Sequence, residues 1–148
     1  MACYYRIHPE KNLLHYQFSG HVSAKDSFEI QDDVDIDPDR HPDLNILADL
    51  RGLTGVDLGV IESSLLAAKV QANRIRKGHR HRQALLYDSR LVAGMIHLYR
   101  MQMARVPEVE VKGFRDPAEA LDFVDLGPQD RFLLGDAPVL HCISGGVA

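Results

Sequence analysis

Leu44-Asn-Ile-Leu-Ala-Asp-Leu50 and the residues after it, Arg51-Gly-Leu-Thr-Gly-Val-Asp57, decide the fold. The first seven form a short, mostly apolar run, the pattern of a strand buried on both faces. The run is expected to break at Gly52 and Gly55, and Asp57 then offers a carboxylate able to cap a helix. Beyond it, Leu58, Ile61, Leu65, Ala68, Ala72 and Ile75 recur at steps of three and four, with Glu62, Lys69, Asn73 and Arg76 on another side. Gly78 suits the left-handed position that ends such a helix, and Arg74, Arg76 and Lys77 stand at its negative end. A buried strand feeding a capped amphipathic helix is the building unit of an α/β sheet, whose ligand or partner surface lies where strands run into helices.

Similar units lie on either side. Tyr4 to His8 alternates in the β manner, Pro9 to Asn12 reads as a turn, and Leu13 to Phe18 alternates again up to Gly20, which together predict an opening hairpin. Ser23 followed by Asp26 is a capping box, so a helix is expected from about Ala24 to Val34. Gln83 to Tyr87 is the next strand; Asp88 or Ser89 caps a helix in which Val92, Ile96, Tyr99 and Met103 share a face until Pro107 forbids continuation. Val109 to Phe114 is a further strand. Asp116 as cap, Pro117 at the first helical position and Glu119 predict a short helix to about Val124. The reading is one domain over 1–126, followed by a C-terminal extension over 127–148 with a possible strand at Ala137 to Ile143.

Composition narrows the function. At 148 residues, 45% apolar and 26% charged, the chain suits one domain with a real core. A net charge of -4 and a pI near 6.0 lack the basic footprint of a nucleic-acid binder. No apolar stretch reaches the roughly 20 residues of a membrane span, so no stable membrane insertion is expected. Met1-Ala-Cys-Tyr-Tyr-Arg6 has neither region of a signal peptide, and the cytoplasm is the expected location. Cys3 and Cys142 stand far apart without metal-like spacing and read as free thiols.

The chain order β-β-α-β-α-β-α-β-α carries a resemblance through particular residues. These are Gly20 at the hairpin's close, Ala48-Asp-Leu-Arg-Gly52, Gly94-Met95 with Tyr99-Arg-Met101, and Val111-Lys-Gly-Phe-Arg-Asp116 leading into Ala118-Glu-Ala120. In these the chain resembles the SpoIIAA-like superfamily, the STAS domains of anti-sigma-factor antagonists and sulfate-transporter tails, over roughly residues 4 to 126. The nearer match is the bacterial STAS/SEC14-like branch. The resemblance implies an α/β fold, a central mixed sheet of about five strands with about four helices, used to bind a partner or small ligand without chemistry. It departs at one place. Where anti-sigma antagonists carry an Asp-Ser-Ser-Gly-like motif with a phosphorylated serine, this chain reads Val56-Asp-Leu-Gly59. The acceptor position holds leucine or glycine, against a kinase-switched interface. Thr54, Ser63 and Ser64 read as ordinary turn and first-turn residues.

Several stretches invite a chemical reading. Arg74-Ile-Arg-Lys-Gly-His-Arg-His-Arg82 is the strongest candidate for an anion, although the same residues complement a helix dipole. His79 and His81 with His97 do not make a metal spacing, and no cofactor is expected. Asp33, Asp35 and Asp37 begin like a calcium loop, but Pro38 stands where glycine is needed and Leu44 where the glutamate belongs. His141-Cys-Ile-Ser-Gly-Gly146 starts like a phosphatase loop, yet Ala148 occupies the arginine position. Met95, Met101 and Met103 with Tyr99 offer a soft apolar surface or core packing.

Three functions follow. The leading one is a non-enzymatic regulatory or binding module, a homodimer taking a protein partner or small ligand. The second carries an acidic lipid or similar amphiphile, with Met95, Tyr99 and Met103 on the apolar part and Arg76, Lys77 and Arg80 on the charge. The third is a hydrolase using His97 or His15 as base and Asp49 as its orienter, and it lacks a nucleophile at a sharp strand-to-helix turn.

Overall fold

The computed structural model describes residues 2–57 and 79–135. Strands β1 (Ala2–His8) and β2 (Leu13–Ser23) form the opening hairpin around a 3-10 turn at Pro9–Lys11, with Asn12 in the left-handed region at φ 51°. Helix α1 (Ala24–Asp35) follows, then β3 (Asn45–Asp57), β4 (His81–Leu86), α2 (Arg90–Met103), β5 (Val109–Phe114) and α3 (Pro117–Phe123). The five strands lie in chain order across the sheet, β1 antiparallel to β2 and the others parallel.

Local chemistry sets the boundaries. The Ser23 hydroxyl accepts from the Asp26 amide at 3.2 Å while the Asp26 carboxylate accepts from the Ser23 amide at 2.9 Å, the reciprocal box expected there. Ser89, rather than Asp88, caps α2 by accepting from the Val92 amide at 3.2 Å. Asp116 accepts from Ala118 and Pro117 opens α3.

Two strands run longer than their composition suggests. β3 continues through Gly52 and Gly55 to Asp57, and β2 continues through Gly20 to Ser23. The two pair along this added length, with register shifts between Gln17 and Ser19 and between Gly20 and His21. The glycines therefore mark irregularities in a pair of strands rather than their ends, and Gly20 takes φ 72° there. The helix expected after Asp57, with Arg76 and Lys77, and the possible strand at Ala137 to Ile143 fall outside the described residues.

The sheet separates two apolar layers. The connections through α1 and α2 both return to a parallel neighbour, and the right-handed rule sends them to one face. There Leu14, Tyr16, Ile46, Ala48 and Leu85 meet Ile30 and Val34 of α1 and Val92 and Ile96 of α2. On the other face Leu13, Leu47, Ala84, Leu86 and Phe114 are covered by Ala120, Leu121, Val124 and Leu134. Leu134 follows a 3-10 segment, Pro128–Leu133, that is held down by the ion pair of Lys11 with Asp130. The segment beginning at Gly127, read as an extension, thus packs at least to Leu134 as part of the second layer.

Candidate functional site

Helix α2 is apolar on two faces. Val92, Ile96, Tyr99 and Met103 make the inner one, and β5 receives it closely at Gly113, where an added Cβ would stand 3.2 Å from both Ile96 and Tyr87. The Tyr99 hydroxyl donates to the Gln83 carboxamide oxygen at 2.7 Å, and the Gln83 amide nitrogen lies 2.9 Å from His81 Nε2. This relay ties the helix to β4 by polar groups kept from water.

The outer face carries Leu91, Gly94, Leu98 and Met101 at steps of three, four and three, the spacing that aligns residues along one side of a helix. Leu91 is 54% exposed, Leu98 47% and Met101 61%. A Cβ added at Gly94 would meet nothing within 4 Å, so neighbouring side chains do not require the glycine. Arg90, His97, Arg100 and Arg105 flank the row, and no carboxylate occurs from Arg90 to Pro107. Among the described residues none of these three arginines forms an ion pair. A chain of net charge -4 therefore presents a basic, apolar-centred ridge.

The residues singled out for an amphiphile are divided by the fold. Met103 is 2% exposed, packed with Val109, and Tyr99 is committed to the sheet through Gln83; a helix residue that fills the core is withdrawn from any surface ligand. Met95 is half-buried and Arg80 exposed. The basic run is likewise split where it is described. His79 pairs with Asp43 at 2.9 Å, His81 is buried as the first residue of β4, and Arg82 lies over the Phe123 ring. Alternation along a strand sends neighbours to opposite faces, so His79 to Arg82, the described part of the run, do not form one patch. Among the described residues no group of three His, Cys, Asp or Glu side chains is placed to hold a metal ion.

The hydrolase residues are also separated. His97 is exposed on α2, whereas His15 and Asp49 are buried on β2 and β3 on the opposite face of the sheet. Asp49 does not orient His15 through a hydrogen bond. Its Oδ1 accepts from Arg51 Nε at 3.0 Å and from the Arg51 amide at 3.1 Å, and its Oδ2 accepts from Arg51 Nη2 at 2.8 Å. Burial depresses the His15 pKa to about 4 against a smaller opposing pull from Asp49.

The outer ridge is absent from the motif reading, though its signal is in the chain. Helix α2 holds seven large apolar or aromatic residues besides Met95, more than one sheet-facing stripe needs.

A mixed sheet in the order β1 to β5, with α1 and α2 on one face, defines the class as a layered α/β fold. A SpoIIAA-like family model matches residues 13–125, and the chain belongs to that family. Among solved structures it is similar to an uncharacterised protein from the DUF3478 family with a SpoIIAA-like fold from Shewanella loihica. The identity is 19%, 83% of this chain and 92% of that chain are covered, and the TM-score is 0.56. That likeness shows the fold. No curated protein matches. Among the described residues no helix is long and apolar enough to cross a membrane.

Proposed function

We propose that the chain is a non-enzymatic binding module whose partner is a protein segment with an apolar face and acidic flanks, seated along the outer ridge of α2. The observation that carries this reading is the exposed row Leu91, Leu98 and Met101 on a helix whose charged residues are all basic. Large apolar side chains aligned at helical spacing match helix-on-helix docking, and open space over Gly94 permits close approach of a partner backbone. A homodimer joined ridge to ridge through a twofold axis places arginines against arginines, which disfavours that arrangement. Carriage of an acidic lipid draws less support, because Tyr99 and Met103 face the core.

The test is capture from the native host with the full chain and with Leu98→Glu/Met101→Glu. Both positions are exposed, so the variant should keep the wild-type melting temperature while losing a partner that the wild type retains. A partner retained equally by both contradicts the assignment.

A further inference from the structure

Strand β5 ends the sheet, and among the described residues no other strand lies along its outer side. Its backbone bonds show which groups are left over. The His81 amide donates to the Glu108 carbonyl at 3.0 Å and the Tyr87 amide to the Phe114 carbonyl at 2.9 Å, one at each end of the β4–β5 pair. In a parallel pair the residues that bond one neighbour alternate, so Glu110 and Lys112 also turn their backbone groups toward β4. Val109, Val111 and Gly113 turn theirs outward. The Val109 amide is taken by the Val106 carbonyl at 3.3 Å, which leaves the amides of Val111 and Gly113 and the carbonyls of all three for water or another strand.

A second strand must match both these groups and the side chains between them. An antiparallel copy of β5 centred on Val111 does so. Val111 then exchanges two bonds with Val111 of the partner subunit, and each Gly113 amide meets the carbonyl of Val109 of the partner subunit. At the intervening positions, where side chains stand closest, Glu110 faces Lys112 of the partner subunit and Lys112 faces Glu110 of the partner subunit, with Cβ atoms about 5 Å apart. Both side chains are exposed and share one side of the strand, where Glu110 lies 3.6 Å from Arg82 and Lys112 lies over the Phe114 ring. Centring the pair on Glu110 or on Lys112 opposes like charges, and a slip of one residue sets outward backbone groups against inward ones.

We propose that the chain forms a twofold dimer by antiparallel pairing of β5 with β5 of a second copy, in the register that sets Glu110 against Lys112. The twofold closes this edge, so pairing through β5 stops at two copies. The interface lies on the rim of the sheet and uses none of the α2 ridge residues, so each reading stands or falls alone.

Sedimentation velocity of the full chain over a concentration series measures the association for the wild type, Glu110→Lys, the exchange Glu110→Lys/Lys112→Glu, and Val111→Pro. The expected result is a wild-type dimer that Glu110→Lys weakens by about tenfold, through like charges set opposite at two positions, and that the exchange restores. Val111→Pro removes an amide that points away from β4, so it should abolish the dimer while the monomer keeps its far-UV circular dichroism. A wild type that sediments as a monomer throughout, a dimer that Glu110→Lys leaves unchanged, or a loss that the exchange does not restore overturns the proposal. Should Val111→Pro fail to fold, the charge exchange decides by itself.

Discussion

Gly94→Ala should stabilise the chain by about 1 kcal/mol, the difference in helix propensity between glycine and alanine. Gly94 lies in the interior of α2, where neither cap geometry nor a positive φ needs a glycine. The added methyl meets no heavy atom within 4 Å, so no steric term offsets the gain in backbone order. For a chain of this length the change corresponds to roughly 3 °C in melting temperature. Urea unfolding followed by far-UV circular dichroism, with an unchanged slope, measures it directly. A loss of stability would refute the reasoning, since it would mean that the outer face of α2 is already occupied within the chain. The same position opposes stability to binding: Gly94→Leu should leave the fold intact and weaken partner capture by filling the space a partner backbone needs.

Other expectations follow from the buried groups. Asp49→Ala removes the carboxylate that faces the Arg51 guanidinium, whose side chain is 13% exposed, and should cost about 3–5 kcal/mol, whereas Asp49→Leu with Arg51→Met should cost far less; a urea double-mutant cycle showing small, additive effects contradicts this. His15 titrates near 4 in the fold against an ordinary 6.5, so below about pH 6.5 the unfolded chain takes up a proton that the folded chain refuses. Its contribution is a loss of up to about 3 kcal/mol as pH falls from 6.5 to about 4, with no further loss below. His15→Leu should remove that part of the slope, and identical pH profiles for the two proteins would count against the burial argument. Ser23→Ala should cost about 1 kcal/mol by opening the capping box of α1, read from the same unfolding curves.

The elements with chemical punctuation were legible in the chain. Ser23 with Asp26, Ser89, and Asp116 with Pro117 announce helices at the places where helices begin, because a side chain adjacent in sequence satisfies the first free amides. Gly20, Gly52 and Gly55 misled, since a glycine signals backbone freedom without saying whether the freedom ends a strand or bends one. Pairing between β2 and β3 made that choice, and pairing is not local. The SpoIIAA-like resemblance implied a mixed sheet of about five strands, which periodicity alone leaves open, and the family match and the observed sheet bear it out.

Site residues were less legible for a related reason. Met95, Tyr99 and Met103 share one helical stripe, which the chain shows, but whether that stripe meets the sheet or a ligand depends on its partner strand. Gln83, the hydrogen-bond partner that commits Tyr99 inward, is sixteen residues away. The polar row on β2 is visible as alternation in Leu13 to Ser19, yet alternating polar residues usually mean a solvated face. Only the fold shows that His15, Gln17 and Ser19 are enclosed.

The most direct measurement of the central claim is photocrosslinking in native cells with benzoylphenylalanine at Leu98, compared with the same probe at Asp122 on α3. The account predicts a discrete adduct with a second protein from Leu98 only, lost when Met101→Glu is added. Adducts of equal yield from both positions, or from Leu98 only to another copy of this chain, would contradict a protein-docking ridge on α2.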